Sequence, residues 1–459
     1  MPSRTDSRLR IAVLADSDTR WKWGALTARR LAEQVPGTDT AAPRPAAPTP
    51  DLDGFLLRGR ATPTPRQLDE VGADADSLRE VTMAQFLEHA AGLGDSGAGD
   101  GAYDVIVLAL VGGAAQAALH GLAARWRGHA RRPVVVTGYV GVVYEKLADG
   151  LLLRHGADIV LANSRHDADR FRAVYEGVGA DAAAVTEAAL PFLGGAPYRA
   201  EPARDMVVFA AQPSVPESRA DRQYLLRRLV EHARRHPERE VVLKLRSKPG
   251  EHTTHIEEHP YQRLTRSLDL PPNFRLAYGN MGELLDRTDL LVTVSSTAAL
   301  ESLHRSVPTA VLTDLGVREL LGNHHFLGSG CLTSWDRLDA GHRPAPDEAW
   351  LAAQGVATGD AYQRAFDHAR ARLDALLGQE SLPPIIPYYT ATTAPGYLPG
   401  ILARHHLAPD GTPLPGAAPA HEPTGLRRWI RDAVRDAARG AYRHGVQRVA
   451  PVIRRMGEL

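Results

Sequence analysis

The sequence predicts an α/β protein that contains two Rossmann-like domains, each built on a parallel sheet. Strand-length runs of continuous apolar residues alternate with helix-length amphipathic segments, which is typical of parallel sheets covered by helices on both faces. This alternation pauses at a stretch with glycine and proline, residues 192–204, and then begins again. The chain has 459 residues, which is enough for two or three domains.

The first domain is predicted over residues 8–191. Its expected strands are residues 10–15, 54–58, 104–110, 133–137 and 158–162. Helices are expected at residues 23–34, from residue 65 to 71, and after Gly112 and Gly113.

The second domain is predicted over residues 205–345. Its expected strands are residues 206–211, 240–246, 274–278, 289–294 and 309–312. Three further segments follow: closing helices at 346–380, a Pro/Gly/Ala-rich and poorly packed connector at 381–425, and a basic amphipathic helix at 426–459. Ligands bind beyond the carboxyl ends of parallel strands. The expected active site is therefore a cleft onto which both sheets turn those ends.

Composition excludes several classes of protein. The formal net charge is zero, so no overall basic field attracts nucleic acid, and no nucleic-acid partner is expected. The single cysteine, Cys331, excludes an intrachain disulfide and a zinc site built from cysteines. The first apolar run is too short for a secretion signal, and no run is long enough to span a membrane. The sequence therefore predicts a cytoplasmic protein.

The segment from residue 289 to 303 carries the strongest functional signal. A buried strand ends in Ser295, Ser296 and Thr297, and a helix begins at once. Either serine can cap that helix, whose free N–H groups and dipole favour phosphate. Glu301 lies one and a half turns further on, where it can reach a ribose diol. The alternative is an ordinary capped helix with a solvent-facing glutamate.

This segment, followed by Val307-Pro308 and another strand, resembles the donor site of GT-B glycosyltransferases. It is most similar to the Ser-Ser motif of bacterial capsule polymerases such as polysialyltransferases and glycerophosphotransferases. The resemblance implies that Ser295 and Ser296 bind donor phosphate and that Glu301 holds the ribose. Residues 8–380 also resemble a group of actinobacterial glycosyltransferases that share Ala-Asp-Ser-Asp…Trp-Lys-Trp-Gly and Gly-Glu-His-x-Thr-His.

A second polar segment follows the strand predicted at 240–246. Lys244, Arg246, Lys248, His252 and His255 gather positive or proton-donating groups there, which suits the phosphate of a leaving nucleotide. The capsule polymerases carry a His-Pro pair at this position, and this sequence departs from that pattern. The alternative is a solvated, histidine-rich loop. A metal is not expected, because no carboxylate lies in register with the histidines, and no cofactor is predicted.

A third segment follows the first strand. Asp16 and Asp18 are candidate bases for an acceptor hydroxyl, by analogy with the acceptor side of GT-B enzymes. Trp21, Lys22 and Trp23 are predicted to form an aromatic platform for the acceptor. The alternative is that one tryptophan belongs to the core and the other to a domain interface.

Two further features complete the sequence prediction. Glu145, in a glycine-containing loop after the strand at 133–137, is another candidate base, with a tight turn as the alternative. The basic helix at 426–459 has a weak, alanine-rich apolar face and can lie on anionic lipid. It can also pack on the enzyme or be disordered, so membrane contact at the inner face is one of three interpretations.

The predicted function is metal-independent transfer of a sugar from a nucleotide-activated donor to an unknown glycan or lipid-linked acceptor. Two alternatives share the predicted fold. A non-hydrolysing sugar-nucleotide epimerase would need acid and base groups on both faces of the sugar. A non-catalytic protein that binds a nucleotide or serves as a scaffold would show no turnover.

Overall fold

A computed structural model describes residues 8–33, 49–91, 103–129, 131–142, 146–201, 204–248, 251, 257–356 and 359–416. These residues form two compact units. The first comprises the described residues up to Phe192 and those from Ala352 onwards, and the second runs from Leu193 to Leu351. The helices in these ranges are all too short or too polar to cross a bilayer.

The first unit contains a seven-stranded sheet. Its strands are β1 (Arg10–Ala15), β2 (Asp51–Leu57), β3 (Ser77–Val81), β4 (Val105–Ala109), β5 (Val134–Gly138), β6 (Ile159–Ala162) and β7 (Val185–Glu187). They lie in the order β3-β2-β1-β4-β5-β6-β7, and every pair is parallel. The central strands are buried along their whole length because helices cover both faces.

Helices follow the strands of the first unit in alternation. They are α1 (Asp18–Ala32), α2 (Pro65–Val71), α3 (Met83–Ala90), α4 (Gly112–Arg125), α5 (Leu147–Leu152) and α6 (Arg165–Gly177). Local sequence sets several of their starts. Thr64 and Thr82 each begin a capping box, with Gln67 and Gln85 as the reciprocal partners, so four backbone groups at the two helix starts are satisfied.

The second unit contains a six-stranded parallel sheet in the order β10-β9-β8-β11-β12-β13. Its strands are β8 (Met206–Ala210), β9 (Glu240–Lys244), β10 (Phe274–Ala277), β11 (Leu290–Thr293), β12 (Thr309–Leu312) and β13 (Leu332–Thr333). Its helices up to residue 339 are α7 (Arg219–Arg235), α8 (Tyr261–Leu264), α9 (Met281–Leu285), α10 (Ala298–His304) and α11 (Trp335–Asp339). Short 3₁₀ turns lie at Thr265–Ser267, Glu319–Leu321 and Asn323–Phe326.

Aspartates at strand starts fix the strand registers at the amino-end edges. Asp104, just before β4, accepts the backbone N–H of Arg10 at 3.0 Å. Asp289, just before β11, accepts that of Met206 at 2.8 Å. Each carboxylate thus satisfies the first donor of the neighbouring strand, which would otherwise lack a partner at the sheet edge.

The two-domain α/β prediction is confirmed, and the chain also returns to the first unit after residue 351. The returning part contains α13 (Gly359–Arg364), α14 (Asp367–Leu377) and α15 (Leu398–Arg404), while α12 (Glu348–Ala353) lies at the point of return. Gly355, with φ of +67°, lies in the interruption between α12 and α13.

Residues 381–416 differ from the poorly packed connector that was expected. Ile385, Leu398 and Leu402 are buried in the same core as β1, β4 and α4. Arg132 donates to the Pro383 carbonyl at 2.6 Å, and His120 contacts the Tyr389 carbonyl at 3.0 Å. Proline and glycine limit the regular structure of this segment to α15, but its spaced apolar side chains still bury themselves on the first unit.

Candidate functional site

Both sheets have a switch point between their first and fourth strands in chain order. In the first unit β1 lies beside β4, and in the second β8 lies beside β11. On either side of each point the connections run in opposite directions, which opens a crevice at the carboxyl ends of the two strands. These two edges are therefore the places to look for bound ligand.

Gln212 and Ser295 meet at the switch point of the second unit. Gln212 lies two residues beyond β8, and Ser295 two residues beyond β11. The side-chain oxygen of Gln212 accepts the backbone N–H of Ser295 at 3.1 Å and its hydroxyl at 3.3 Å. Ser295 is 2% exposed, so its hydroxyl is taken up by the protein and does not face solvent.

Ser296 and Thr297 are the half-exposed hydroxyl residues of this edge. The Ser296 backbone N–H donates to the Thr293 hydroxyl at 3.1 Å, and its own hydroxyl accepts the N–H of Ala298 at 3.2 Å. The Ser296 hydroxyl thus satisfies the first backbone N–H of α10, but the N-cap residue is Thr297 and not one of the two serines. Within the part of the chain that the structure describes, the Thr297 backbone N–H has no acceptor.

Glu301 lies in the first turn of α10 and is 7% exposed. The sequence predicts that it reaches a ribose, or else that it faces solvent. The structure buries most of the side chain, so the solvent-facing alternative is wrong. Only the small accessible part of the carboxylate remains for a ligand.

Lys244 lies at the same edge of the sheet as Ser295 and Ser296. It is the last residue of β9, and Ala210 of β8 pairs with both Lys244 and Thr293. With strands about 4.8 Å apart, Lys244 and Thr293 are separated by about 10 Å across the sheet edge. Lys244 is buried and donates to the Leu245 carbonyl at 2.9 Å.

The two other predicted donor-side cations are more accessible than Lys244. Arg246 is half-buried, and Lys248 is exposed. The Lys248 ammonium lies 6.0 Å from the centre of the Tyr278 ring, and its backbone N–H donates to Glu251 at 2.7 Å. Lys248 is therefore held above the end of β10, where it can meet an anion.

Arg222 holds the loop that carries Gln212, and the sequence analysis missed it. One guanidinium nitrogen donates to the carbonyls of Gln212, Pro213 and Pro216 at 3.1, 3.1 and 3.2 Å. The other pairs with Glu257, and the group lies 4.1 Å from the centre of the Tyr261 ring. Burial raises the pKa of Glu257, and the charge of Arg222 opposes that shift. Helix α7 contains several arginines, and nothing in the sequence marks Arg222 as the one that holds this loop.

Asp16 occupies the equivalent position at the switch point of the first unit. One carboxylate oxygen accepts the backbone N–H of Val111 at 3.0 Å, and the other accepts from Arg20 at 2.8 Å. Asp16 therefore joins the end of β1 to the start of α4. Asp18, the second candidate base, lies in the first turn of α1, where Ser17 is the N-cap.

The prediction that Trp21 and Trp23 form an aromatic platform is wrong. Helix α1 begins at Asp18, earlier than expected, and turns the two rings inward. Trp21 is fully buried against Gly54, and its indole N–H donates to the Ala73 carbonyl at 3.1 Å. Trp23 is 1% exposed. Neither ring can present a face to a sugar, and both belong to the core.

Lys22, between the two tryptophans, is half-buried. Its ammonium lies 5.0 Å from the centre of the Phe192 ring, in a cation–π contact. An acceptor-side role for Lys22 stays a prediction.

Arg154 is a second arginine that the sequence analysis missed. Its guanidinium donates to the carbonyls of Gly138, Gly150 and Leu110 at 3.1, 2.7 and 2.9 Å, beside the carboxyl ends of β4 and β5. It also lies 4.1 Å from the centre of the Tyr139 ring. Burial lowers its pKa, because carbonyl dipoles replace water around the charge only in part.

One cluster in the described residues has metal-ligand chemistry. His232, His236 and Asp339 place ligand atoms within 4.8 Å of one another. However, His232 uses one ring nitrogen towards Asp339 at 2.6 Å and the other towards Arg239 at 3.0 Å. Arg228 and Arg235 also bind Asp339. Three arginines surround the cluster and would repel a cation. The network is therefore a set of hydrogen bonds and ion pairs that joins α7 to α11.

Three predicted catalytic residues and one predicted segment lie outside the described residues. These are Glu145, His252, His255 and the basic helix at 426–459. Their assignments stay predictions.

A family comparison decides the class of protein. The sequence model of the family described as "Putative glycosyltransferase (DUF6716)" matches residues 11–376. The chain belongs to this family. The match covers both units, including the switch-point edges around Asp16 and Ser295. The predicted resemblance to glycosyltransferases is thereby confirmed at the level of the family. No curated protein sequence matches the chain.

The chain is similar in fold to solved structures that include an epimerase and a glycosyltransferase. One is a UDP-N-acetylglucosamine 2-epimerase, described as putative, from Listeria monocytogenes, with 11% identity, a TM-score of 0.44 and coverage of 87% of this chain and 97% of that one. Another is the glycosyltransferase SnogD from Streptomyces nogalater, with 15% identity, a TM-score of 0.37 and coverage of 81% and 100%. A third is the MnaA–UDP complex from S. aureus, with 10% identity, a TM-score of 0.48 and coverage of 81% and 99%. At this distance, the fold is assigned from the strand order above.

Proposed function

We propose that this protein transfers a sugar from a nucleotide-activated donor to an acceptor hydroxyl, and that the second unit binds the donor. The observation that carries the proposal is the pair Ser296 and Thr297 at the switch point of that unit. Both residues are half-exposed, whereas the neighbouring Ser295 is held inside by Gln212. The fold thus presents two polar residues at the crevice where parallel sheets bind ligands.

The chemistry of this edge suits a phosphate. The Thr297 N–H and the two hydroxyls can donate to phosphate oxygens, and the dipole at the start of α10 adds partial positive charge. Lys244 lies about 10 Å away across the sheet, with Arg246 and Lys248 beyond it. These cations can stabilise the charge that develops on a departing nucleotide. Ser295 then acts as a support, and Ser296 and Thr297 as the direct ligands.

On the first unit, Asp18 is the better candidate base of the two described carboxylates. Both oxygens of Asp16 already accept hydrogen bonds that hold β1 to α4. A base must take a proton without losing the contacts that place it. Asp18 is half-buried at the same edge and accepts from the hydroxyl of its chain neighbour Thr19 at 3.3 Å, a contact that joins no two elements. Glu145 remains an equal candidate from the sequence.

Thermal-shift measurements with CMP, CDP, UDP, GDP and dTDP test the donor assignment. A nucleotide that binds the folded state raises the melting temperature of the wild type. Ser296→Ala should abolish that rise, while the exposed Ser381→Ala serves as the control and should keep it. If the rise survives in Ser296→Ala, the donor phosphate does not lie at this edge.

Product analysis with the matching nucleotide sugar separates the functions. Transfer gives free nucleotide and a glycosylated acceptor. Epimerisation of the donor alone would instead support the non-hydrolysing epimerase, and binding without any product would support a nucleotide-binding scaffold.

A further inference from the structure

Residues 388–397 form an ordered, hydroxyl-rich surface segment on the first unit. The sequence Tyr-Tyr-Thr-Ala-Thr-Thr-Ala-Pro-Gly-Tyr contains three tyrosines and three threonines. Thr390 and Thr393 cap each other, with backbone N–H to hydroxyl distances of 2.9 and 3.0 Å. Ala394 is buried in the core. The turn is therefore fixed, and its tyrosines are held in place before any ligand arrives.

Two of these tyrosines converge on one carboxylate. The Tyr389 hydroxyl donates to Asp149 at 3.3 Å, and the Tyr389 and Tyr397 rings lie 5.4 Å apart with an interplanar angle of 72°. Burial, then the charge of Asp149, raises the pKa of both hydroxyls, that of Tyr389 to about 12. Both phenols therefore stay protonated and can donate hydrogen bonds at neutral pH.

The Tyr397 ring remains open to solvent although its neighbours are packed. It is 42% exposed, while Asp149 and Tyr389 are half-buried. Such an arrangement keeps an aromatic surface, two hydroxyl groups and a carboxylate together at a fixed position. Aromatic side chains with polar tips are well suited to surfaces that bind ligands with mixed polar and apolar faces.

The location of this group also points to function. Asp149 lies in the first turn of α5, the helix that follows β5, and so stands at the carboxyl-end edge of the first sheet. Arg154, which donates to the Gly150 carbonyl next to Asp149, also donates to the Leu110 and Gly138 carbonyls at the ends of β4 and β5. Asp149 therefore lies beside the edge where a parallel sheet binds ligand.

We propose that Tyr389, Tyr397 and Asp149 form a binding subsite for a neutral sugar, which is the acceptor of the transfer reaction. This proposal rests on the proposed function. Ring carbons of the sugar pack on Tyr397, and its hydroxyls donate to Asp149 and to the oxygens of the two phenols, whose own O–H groups point to Asp149. Arg404 is the cation that acts on Tyr397. The carboxylate of Asp149, which contacts the sugar hydroxyls, repels an anionic sugar and so favours a neutral one.

The test uses an array of immobilised neutral and acidic oligosaccharides and the full-length protein. Wild type should bind a subset of the neutral sugars. Tyr397→Ala should weaken that binding about 10-fold, since a lost aromatic contact costs on the order of 1.4 kcal/mol. Tyr397→Phe keeps the ring and should lose less. Asp149→Asn should weaken the same sugars. Leu414→Ala, an exposed position elsewhere on the first unit, is the control and should bind as wild type.

The outcomes separate this proposal from the donor assignment. If no neutral sugar binds, or if binding is unchanged in Tyr397→Ala and Asp149→Asn, the subsite is wrong. Nucleotide-induced stabilisation measured on the same variants should remain, because Ser296 and Thr297 are untouched. A retained nucleotide effect without sugar binding overturns the subsite alone. Sugar binding that depends on Tyr397, without any nucleotide effect, supports the subsite and counts against transfer.

Discussion

Gln212 accepts both the backbone N–H and the hydroxyl of Ser295 through one side-chain oxygen. The first unit repeats this relationship with different chemistry, since Asp16 accepts the backbone N–H of Val111. In each sheet, a side chain that follows the first strand accepts the N–H two residues beyond the fourth. The two central strand ends are thereby joined across the switch point, and the loops that face a ligand are fixed before it binds.

Replacing Gln212 by leucine should destabilise the protein by about 1–3 kcal/mol, because a buried N–H and a buried hydroxyl of Ser295 lose their acceptor. It should also weaken nucleotide binding, since the adjacent Ser296 and Thr297 lose their support. Urea unfolding and nucleotide titration measure the two effects. The exposed Gln379→Leu is the control. A Gln212→Leu variant with wild-type stability would show that this contact does not hold the loop.

Removal of Asp16 and of Asp18 should have different consequences. Asp16→Ala leaves the Val111 N–H and Arg20 without their carboxylate and should cost about 1.5–3 kcal/mol of stability. Asp18→Ala removes a favourable charge at a helix start and should cost about 0.3–1 kcal/mol, while sugar transfer falls if Asp18 is the base. Denaturation and single-turnover assays on both variants provide the comparison. Normal transfer by Asp18→Ala would exclude it as the base.

Nine of the ten strands that the sequence predicts lie inside their sheets, and β10 is the predicted strand that lies at an edge. Three strands were missed: β3, β7 and β13, and each lies at an edge of its sheet. An edge strand has one neighbour and is covered less, so Ser77–Val81 carries polar residues and has no continuous apolar run. The starts of β4, β6 and β11 at Asp104, Asp158 and Asp289 were predicted well. Each aspartate marks the boundary of the apolar run, and each also fixes the register with the neighbouring strand.

The site is less predictable than the fold because its contacts join distant parts of the chain. Ser296 is visible in the sequence, since a strand, hydroxyls and a helix are adjacent. Gln212 lies 83 residues before Ser295, and only the strand order brings them together. Trp21 and Trp23 were predicted to lie on a binding surface, because an aromatic pair beside a lysine is typical of one. Helix α1 begins earlier than expected, and both rings therefore face the core.

Arg222 and Glu257 should behave as a coupled pair. Arg222→Met leaves a mostly buried carboxylate unpaired and three loop carbonyls without a donor, which should cost about 3–5 kcal/mol. Glu257→Gln alone should cost less, and the double variant should cost less than the sum of the two. Chemical denaturation of the four proteins completes the cycle. Strict additivity would show that the two side chains do not interact in solution.

The free energy of unfolding should decrease as the pH is lowered, because of the protonation of His232. Burial lowers its pKa from 6.5 to about 4, although Asp339 opposes the shift. The unfolded chain therefore takes up a proton at a higher pH than the folded chain. As the pH falls from about 6.5 to about 4, the folded state loses stability, by about 3 kcal/mol in total for a shift of this size. Urea unfolding across this range should show a smaller loss in His232→Gln, whereas His129→Gln, an exposed position, should follow the wild type. Equal pH dependence in wild type and His232→Gln would place the acid sensitivity elsewhere.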